Sequence, residues 1–279
     1  LVLLSHFLEA SSVTCELHPI DPRFLACAHI LADKASSAIL PYFRKPLPVF
    51  NKHHSGGYDP VTEADRAAEQ VISEHLEQAF PEHGLEGEEF GHHREGSRYK
   101  WVIDPIDGTR SFIMGSPMWG TLIGLMEETH PILGVINQPY TKERFWSDGS
   151  KSYFSKEKGD EKILLTRNCS NISDAVLMTT DPDLFKEGRE RGGFEKLKSR
   201  VKMCRYGGDC YAYALLALGF VDVIVECGLK SHDVIALIPI INAAGGCFTD
   251  WRGNTPIDGG SIVACGDKKL HEKILTVLQ

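Results

Sequence analysis

At residues 101–109 the chain reads Trp-Val-Ile-Asp-Pro-Ile-Asp-Gly-Thr, an apolar run that ends at two aspartates, Asp104 and Asp107. Large apolar and β-branched side chains favour a buried strand, and the proline and glycine beside the aspartates favour a turn directly after it. Both carboxylates can then face one point, where their repulsion favours a bound cation such as Mg²⁺. A simpler interpretation is a turn in which the two aspartates only cap backbone amides.

The composition is that of a globular protein with a sizeable core. The chain has 279 residues, of which 42% are hydrophobic, and a formal net charge of −8. Nucleic acid and anionic membranes require clustered lysine and arginine, so we predict neither as a partner. The apolar runs are also shorter than the roughly 18 residues that predict a membrane span. A phosphorylated substrate would need metal ions to approach so acidic a protein.

Cysteine usage indicates a reducing compartment. The eight cysteines are scattered, without a Cys-x-x-Cys pair and mostly among apolar neighbours, which is typical of reduced, buried thiols in a cytoplasmic protein. The apolar opening at residues 1–8 lacks the basic region of a signal peptide and reads as an N-terminal helix. Because the first residue is not Met, removal of an upstream targeting segment, and hence an organelle interior, stays open.

The first half of the chain combines helices with paired strands. Apolar residues at helical spacing predict helices over residues 22–40 and 62–80. Strands are predicted at 121–126, 132–137 and 144–146.

A segment rich in Gly, Ser, Lys and Glu at residues 149–160 is the candidate domain boundary. It divides the chain into an N-terminal α+β domain, residues 1–150, and a C-terminal α/β domain, residues 151–279. In the second part, strands at 175–178, 221–226 and 261–265 alternate with helices within 184–200, at 211–218, at 234–244 and at the C-terminus. This alternation predicts an α/β fold built in layers.

Three more acidic motifs accompany the aspartate pair. Asp65 stands in the first turn of the second predicted helix, Glu88 belongs to the Gly-Glu-Glu at 87–89, and Asp233 opens a helix that ends in Ala-Gly-Gly. Taken singly, Asp65 can be a helix-start acid favoured by the helix dipole. The Gly-Glu-Glu segment can equally be a solvated acidic turn.

Taken together, these motifs resemble the magnesium-dependent, lithium-sensitive phosphatases of the inositol monophosphatase superfamily. The Asp-Pro-Ile-Asp-Gly-Thr at 104–109, followed much later by an Asp-x-x-Ala helix with Gly-Gly at its end, is a specific pair, and the order of motifs matches over nearly the whole chain. The resemblance implies an α/β fold of alternating helical layers and mixed sheets, an α-β-α-β-α sandwich. It also implies a homodimer.

The resemblance assigns roles to particular residues. It makes the metal ligands Glu88, Asp104, Asp107, Asp233 and the backbone carbonyl of Ile106, holding two or three Mg²⁺, with the amides of Gly108 and Thr109 cradling the phosphate. Thr109 and Asp65, together with Glu88, would be the catalytic residues. The Thr109 hydroxyl would donate to Asp65, and the pair would orient and deprotonate the attacking water. Lys52 matches a family lysine near the active site, although a mobile surface lysine is an equal alternative.

Secondary motifs resemble the histidinol-phosphate phosphatase branch of the superfamily. They are Arg110-Ser111-Phe112, where inositol enzymes usually have Thr-Asn-Phe, together with Gly-Gly-Asp-Cys-Tyr at 207–211 and Ala-Leu-Ile-Pro at 236–239. The resemblance therefore predicts hydrolysis of L-histidinol phosphate, in histidine biosynthesis. The alternatives are an inositol-1-phosphate phosphatase or a broad sugar-phosphate phosphatase, and a non-catalytic metal-binding scaffold as a remote third.

The charge of the substrate favours the same branch. Histidinol phosphate carries an ammonium and an imidazole, so acids in the pocket should attract it. The candidates are Asp209, which can also be a helix N-cap, and Glu226, with Arg110 as a further substrate-binding residue. His232 fits neither branch, since an aromatic residue usually precedes the final aspartate. It can tune specificity, or its ring can simply fill the place of an aromatic side chain.

Overall fold

The computed structural model describes residues 20–46, 48–52, 60–157 and 159–279. The apolar opening at residues 1–8, predicted as a helix, lies outside these ranges. Within the described chain, helices and mixed sheets alternate in five layers, so the predicted α-β-α-β-α sandwich is confirmed. None of the described helices combines the length and the apolar character that crossing a membrane needs.

The first layer consists of helices α1 (Pro22–Ile39) and α2 (Glu63–Ala79), as the helical periodicity predicts. Asp21 caps α1 by accepting from the backbone N–H of Arg23, at 2.9 Å. Thr62 caps α2, and a short antiparallel pair, β1 (Val49–Asn51) and β2 (Pro60–Thr62), leads into this helix. The apolar faces of both helices pack on the first sheet around buried Leu31 and Ile72.

The first sheet has eight strands and is mixed, because β3 runs parallel to β5 while the other neighbours are antiparallel. Its strands, in chain order, are β3 (Gly84–Gly87), β4 (Gly91–His93), β5 (Tyr99–Asp107), β6 (Gly120–Glu127), β7 (His130–Gln138), β8 (Glu143–Ser147), β9 (Ser152–Ser155) and β10 (Lys162–Ile163). The spatial order is β10-β9-β8-β7-β6-β5-β3-β4. A five-residue helix, α3 (Thr109–Ile113), follows β5.

Strand pairing continues past the predicted boundary at residue 150. Both β9 and β10 lie beyond that residue, yet they extend the first sheet to Ile163. They do so because Ser152–Ser155 pairs along β8 in a regular antiparallel register. The division into domains of residues 1–150 and 151–279 stays a prediction. The first sheet contains strands from both sides of residue 150.

The remaining layers come from the second part of the chain. Its elements are β11 (Val176–Thr179), α4 (Arg189–Lys198), β12 (Met203–Tyr206), α5 (Asp209–Ala217), β13 (Val223–Leu229), α6 (Ser231–Val234), α7 (Leu237–Ala243), β14 (Cys247–Asp250), β15 (Gly260–Cys265) and α8 (Lys268–Leu278). The strands form a mixed sheet in the order β12-β11-β13-β15-β14. Helices α5 and α7 fill the space between the two sheets, and α4 and α8 cover the outer face.

One predicted helix is wrong in its continuity. Residues 234–244 do not form one helix, because α6 ends at Val234 and α7 begins at Leu237. Pro239 explains the interruption, since its ring clashes with a helical carbonyl four residues earlier, at Ile235, and it has no N–H to donate. Of the seven cysteines in the described residues, all free, four are buried as predicted, whereas Cys169, Cys204 and Cys247 are half-buried.

Candidate metal centre

A bulge in β5 brings Asp104 and Asp107 to one side. Asp104 pairs with Leu122 and Asp107 with Gly120, so three residue steps on β5 match two on β6. Side chains alternate along a strand, and residues three apart would otherwise face opposite ways; the extra residue reverses that. The turn predicted at Pro105 is therefore wrong, because the proline sits in a bulge and the chain turns only after Asp107.

Carboxylates from three parts of the chain meet at this bulge. Ligand atoms of Asp104, Asp107 and Asp233 all lie within 4.8 Å of one another, and those of Glu88, Asp104 and His232 do the same. Glu88 follows β3, and both His232 and Asp233 belong to α6. The structure thus brings together the four acids predicted as metal ligands, and it adds an imidazole to them.

Burial and mutual repulsion make this cluster costly without a cation. Burial raises the pKa of Asp104 well above its usual value, and the charges of Glu88 and Asp107 raise it further. Asp107 is half-buried; loss of solvent raises its pKa, and the charges of Asp209 and Asp233 raise it further. A divalent cation removes this repulsion, and carboxylate oxygens are the ligands that hard cations prefer. The donor set therefore fits a metal ion.

Asp107 is also held by the second part of the chain. Its Oδ2 accepts from the backbone N–H of Cys210, at 2.5 Å, in the first turn of α5. Amides in the first turn of a helix have no intrahelical partner, and a carboxylate is a favourable acceptor there. The contact fixes one oxygen of Asp107 and leaves the other for the cluster.

Lys52 contacts the cluster at Glu88. Its Nζ is 2.7 Å from Oε1 of Glu88 and 2.5 Å from Oε1 of Glu89. Burial raises the pKa of Glu88, but the ammonium of Lys52 outweighs it and the net pKa is lowered. Of the two alternatives for Lys52, the structure favours a residue of the site over a mobile surface lysine.

The predicted hydrogen bond from Thr109 to Asp65 is not formed. The Thr109 hydroxyl donates to the backbone carbonyl of Ile106, at 3.1 Å, as hydroxyls at the start of a helix often do with a nearby carbonyl. Oδ2 of Asp65 instead accepts from the N–H and the hydroxyl of Thr62, at 2.8 and 2.6 Å. Its Oδ1 is buried and finds no hydrogen-bond partner among the described residues. Burial raises the pKa of Asp65 to about 7, although Thr62 opposes the shift.

Gly108 forms the turn into α3 and lies beneath Asp209. Its φ of +86° is in the left-handed region, which favours glycine. A Cβ at this position would meet Cγ of Asp209 at 2.9 Å and the carbonyl oxygen of Met118 at 2.9 Å. The turn is followed directly by the first residues of α3, where the amides of Gly108 and Thr109 are predicted to bind phosphate. With only five residues, α3 adds a small dipole.

Asp209 lies at the start of α5 but does not cap this helix. Gly208 is the N-cap of α5, and Asp209 is its first residue, with a φ of +44°. Its Oδ2 accepts from the hydroxyl of Ser111, at 2.8 Å. Burial raises the pKa of Asp209 to about 6, opposed by the Ser111 hydrogen bond and the charge of exposed Arg110. The N-cap alternative for Asp209 is therefore wrong.

Glu226 lies deeper than predicted for a residue that touches substrate. It is 3% exposed on β13, and its two oxygens accept from the N–H of Thr180, at 2.9 Å, and the hydroxyl of Tyr213, at 2.7 Å. A direct contact with substrate would cost one of these buried hydrogen bonds. Its role as a substrate-binding acid stays a prediction.

A family model decides the relationship of this chain. The model described as the Inositol monophosphatase family matches residues 22–279. The chain belongs to the inositol monophosphatase family. It is a phosphatase of the phosphoric monoester hydrolase class, whose members act on small phosphorylated substrates.

Individual members of the inositol monophosphatase family resemble the chain over most of its length. It is 42% identical over 268 residues to the bifunctional phosphatase IMPL2, chloroplastic, of Arabidopsis thaliana, covering 92% of this chain and 75% of the relative. It is 37% identical to a histidinol-phosphatase of Chlorobaculum parvum, covering 85% and 90% of the two chains. A solved structure of an inositol monophosphatase from Zymomonas mobilis superposes with a TM-score of 0.81 at 42% identity, covering 92% of this chain and 98% of the other.

In this inositol monophosphatase family member, Glu69 supports the site, although it was not among the predicted residues. It is buried on α2, and its carboxylate accepts from the backbone N–H groups of Glu89 and Phe90, both at 2.8 Å. The segment that carries Glu88 is thereby tied to the helix that carries Asp65. A signal was present, because a glutamate four residues after Asp65 falls on the otherwise apolar face of α2.

Glu86 supports the site in a similar way. On β3, it accepts from the hydroxyl of Ser231 and from Nζ of Lys100, the latter at 2.7 Å. Ser231 directly precedes His232 and Asp233 on α6. One buried carboxylate therefore joins β3, which directly precedes Glu88, to α6, which carries Asp233.

Proposed function

We propose that the protein is a Mg²⁺-dependent phosphatase that hydrolyses L-histidinol phosphate to histidinol and phosphate. The observation that supports this substrate is Asp209, a half-buried carboxylate that a Cβ on Gly108 would meet at 2.9 Å and whose charge acts on Asp107 of the acidic cluster. A phosphate bound at the start of α3 would place the rest of the substrate beside this acid. The histidinol-phosphatase name of the Chlorobaculum relative supports the same substrate.

The chain's residues divide the work of hydrolysis. Glu88, Asp104, Asp107, Asp233 and the carbonyl of Ile106 would hold two or three Mg²⁺. When bound, these cations neutralise the phosphate charge, activate a water and stabilise the leaving alkoxide. The first amides of α3, at Gly108 and Thr109, orient the phosphate.

Asp65 is the residue best suited to take a proton. With a pKa of about 7, it is present in both protonation states near neutrality, as an acid–base group should be. Its unpartnered Oδ1 is free to accept. For the relay, the Thr109 hydroxyl turns from Ile106 to Asp65, passes its proton to that carboxylate and takes one from the attacking water. Glu88 is the third member of the catalytic set, together with Asp65 and Thr109.

Charge favours histidinol phosphate over inositol phosphate. Asp209 is mostly ionised above its pKa of about 6, and a carboxylate in a low-dielectric pocket attracts an ammonium more strongly than a hydroxyl. Burial raises the pKa of Glu226, and the charge of Asp209 raises it further, so Asp209 is the stronger candidate for attracting the cation. Arg110 is exposed and acts on Asp209 through its positive charge, which also suits the phosphate end of the substrate.

A phosphate-release panel with Mg²⁺ tests this proposal. It compares histidinol phosphate, inositol-1-phosphate, fructose-1,6-bisphosphate and 3′-phosphoadenosine-5′-phosphate at equal concentration. We expect histidinol phosphate to be preferred by more than about tenfold, the ratio that corresponds to 1.4 kcal/mol. A smaller preference over inositol-1-phosphate would contradict the proposed substrate. If none of the four esters released phosphate, the result would favour a non-catalytic metal-binding scaffold. Light scattering on the same preparation tests the expected homodimer.

A further inference from the structure

His232 lies among the carboxylates of the cluster. One of its ring nitrogens and oxygens of Glu88 and Asp104 all lie within 4.8 Å of one another. Its Nε2 is 3.7 Å from Oδ1 of Asp233, and the side chain is 11% exposed. A separation of 3.7 Å is too long for a hydrogen bond, so the ring lies beside Asp233 without a hydrogen bond to it.

The backbone holds this ring in place. Asp233 accepts from the N–H of Lys230 at 2.7 Å, which closes the first turn of α6 around His232. On the other side, the Ser231 hydroxyl donates to Glu86 on β3. The backbone on both sides of His232 is therefore held in place, which limits how far the ring can move from Glu88 and Asp104.

We propose that His232 is a nitrogen ligand of the cation that Glu88 and Asp104 share. The inference rests on the proposed metal-dependent phosphatase function and adds a donor to it. The three ligand atoms lie within 4.8 Å of one another, so a small movement of the side chains would let one ion contact all of them at the usual distance of about 2.0–2.2 Å. The group of Asp104, Asp107 and Asp233 is made of oxygen alone. The two groups differ in chemistry, and Asp104 belongs to both.

A nitrogen donor changes which metals the cluster prefers. Imidazole suits transition metals such as Fe²⁺ and Zn²⁺ better than Mg²⁺, which favours oxygen and water. Hence Glu88, Asp104 and His232 select transition metals, while the all-oxygen group suits Mg²⁺. Replacing His232 by Phe keeps a ring of similar size and removes the donor.

The test is pulsed electron paramagnetic resonance of the full chain with Mn²⁺ alone, without substrate. The wild type should show a ¹⁴N modulation that becomes a ¹⁵N pattern when histidine is ¹⁵N-labelled, a check that needs no substitution. His232→Phe should lose the modulation and lower the ratio of Mn²⁺ to Mg²⁺ affinity, measured by calorimetry, by about tenfold. His130→Gln, at an exposed histidine on the sheet that carries Asp104, should change neither.

Other outcomes of these measurements would contradict His232 as a ligand, and one of them would also contradict the proposed function. Mn²⁺ that binds the wild type without nitrogen modulation, or modulation that persists in His232→Phe, excludes His232 as a ligand and leaves the phosphatase proposal standing. If Mn²⁺ and Mg²⁺ both fail to bind the wild type, the inference fails together with the proposed function. Should His232→Phe unfold, His232→Gln and the ¹⁵N-labelled wild type decide the question.

Discussion

The backbone N–H of Cys210 donates to Oδ2 of Asp107 at 2.5 Å. One partner opens α5 in the second part of the chain, and the other ends β5 in the first. Because the acidic cluster takes Glu88, Asp104 and Asp107 from one part and Asp233 from the other, it forms only when both are packed together. Loss of either part should therefore abolish metal binding.

Removing a charge from the cluster should separate activity from stability. Asp104→Asn and Asp233→Asn should each lower kcat/KM by at least about 100-fold at saturating Mg²⁺, since a ligand is lost. The metal-free thermal midpoint should not fall, because burial and repulsion already disfavour these carboxylates. Phosphate release and thermal denaturation measure the two effects. Asp33→Asn, at an exposed acid, is the control, and near-wild-type turnover in either cluster variant would contradict the ligand assignment.

Asp209 should set substrate preference more than rate. Asp209→Asn should lower kcat/KM for histidinol phosphate by roughly tenfold, as expected from losing one charge-assisted contact of about 1.5 kcal/mol. Turnover of inositol-1-phosphate should change less, because that substrate has no cation to lose. Ser111→Ala is the matched control, for it removes the hydrogen bond to Asp209 and keeps the carboxylate. Equal losses on both substrates would contradict the role.

Glu69 should act through metal affinity. Glu69→Gln leaves an acceptor for only one of the two amides at 2.8 Å and frees the segment that carries Glu88. We expect a Mg²⁺ requirement raised by about tenfold, with kcat largely restored at high Mg²⁺. Steady-state kinetics over a Mg²⁺ titration measure this separation. Gln70→Ala, at the next and exposed position, should behave like the wild type; a lowered kcat with an unchanged Mg²⁺ requirement would argue against a positioning role.

Two glycines with positive φ should differ in their response to alanine. Gly91→Ala should cost about 1 kcal/mol, because φ is +76° but nothing lies within 4 Å of the new Cβ. Gly108→Ala should cost about 1–3 kcal/mol and lower activity, since its Cβ meets Asp209 and Met118 at 2.9 Å. Urea unfolding compares the two free energies. Equal costs and full activity in both variants would show that Asp209 does not lie against Gly108.

Stability should fall in mild acid because of His271. Burial lowers the pKa of this histidine on α8, whose Nε2 lies 2.8 Å from the hydroxyl of Thr249. The unfolded chain then binds the proton more readily, so this contribution is complete above the unfolded pKa of about 6.5 and declines as pH falls below it. Thermal midpoints between pH 5 and 8, at constant Mg²⁺, should fall toward acid less steeply in His271→Gln. Parallel curves would exclude this histidine.

Much of the fold could be predicted because it depends on local pattern. Helices α1 and α2 repeat their apolar residues at helical spacing, and β6 and β7 carry the apolar runs of paired strands. The break at Ile235 could be inferred too, had Pro239 been weighed against the apolar periodicity around it. Strands such as β12 and β14 escaped prediction because each has only four residues and little alternation.

The acids of the site were predictable as a set, and their geometry was not. The order of Asp65, Glu88, the aspartate pair and Asp233 is a property of the sequence, and it identified the family without any coordinates. The roles of Glu69 and His232 depend on contacts between residues far apart in the chain, which no spacing rule connects.

The sequence by itself determined the apolar strand that ends in Asp104 and Asp107, because strand propensity and side-chain charge are local. Only the tertiary structure decided that the two carboxylates share a side, since that depends on one unpaired residue in the register of β5 against β6. It also decided which groups surround the two carboxylates, because the N–H of Cys210 and the ring of His232 lie beside them only when the layers pack together.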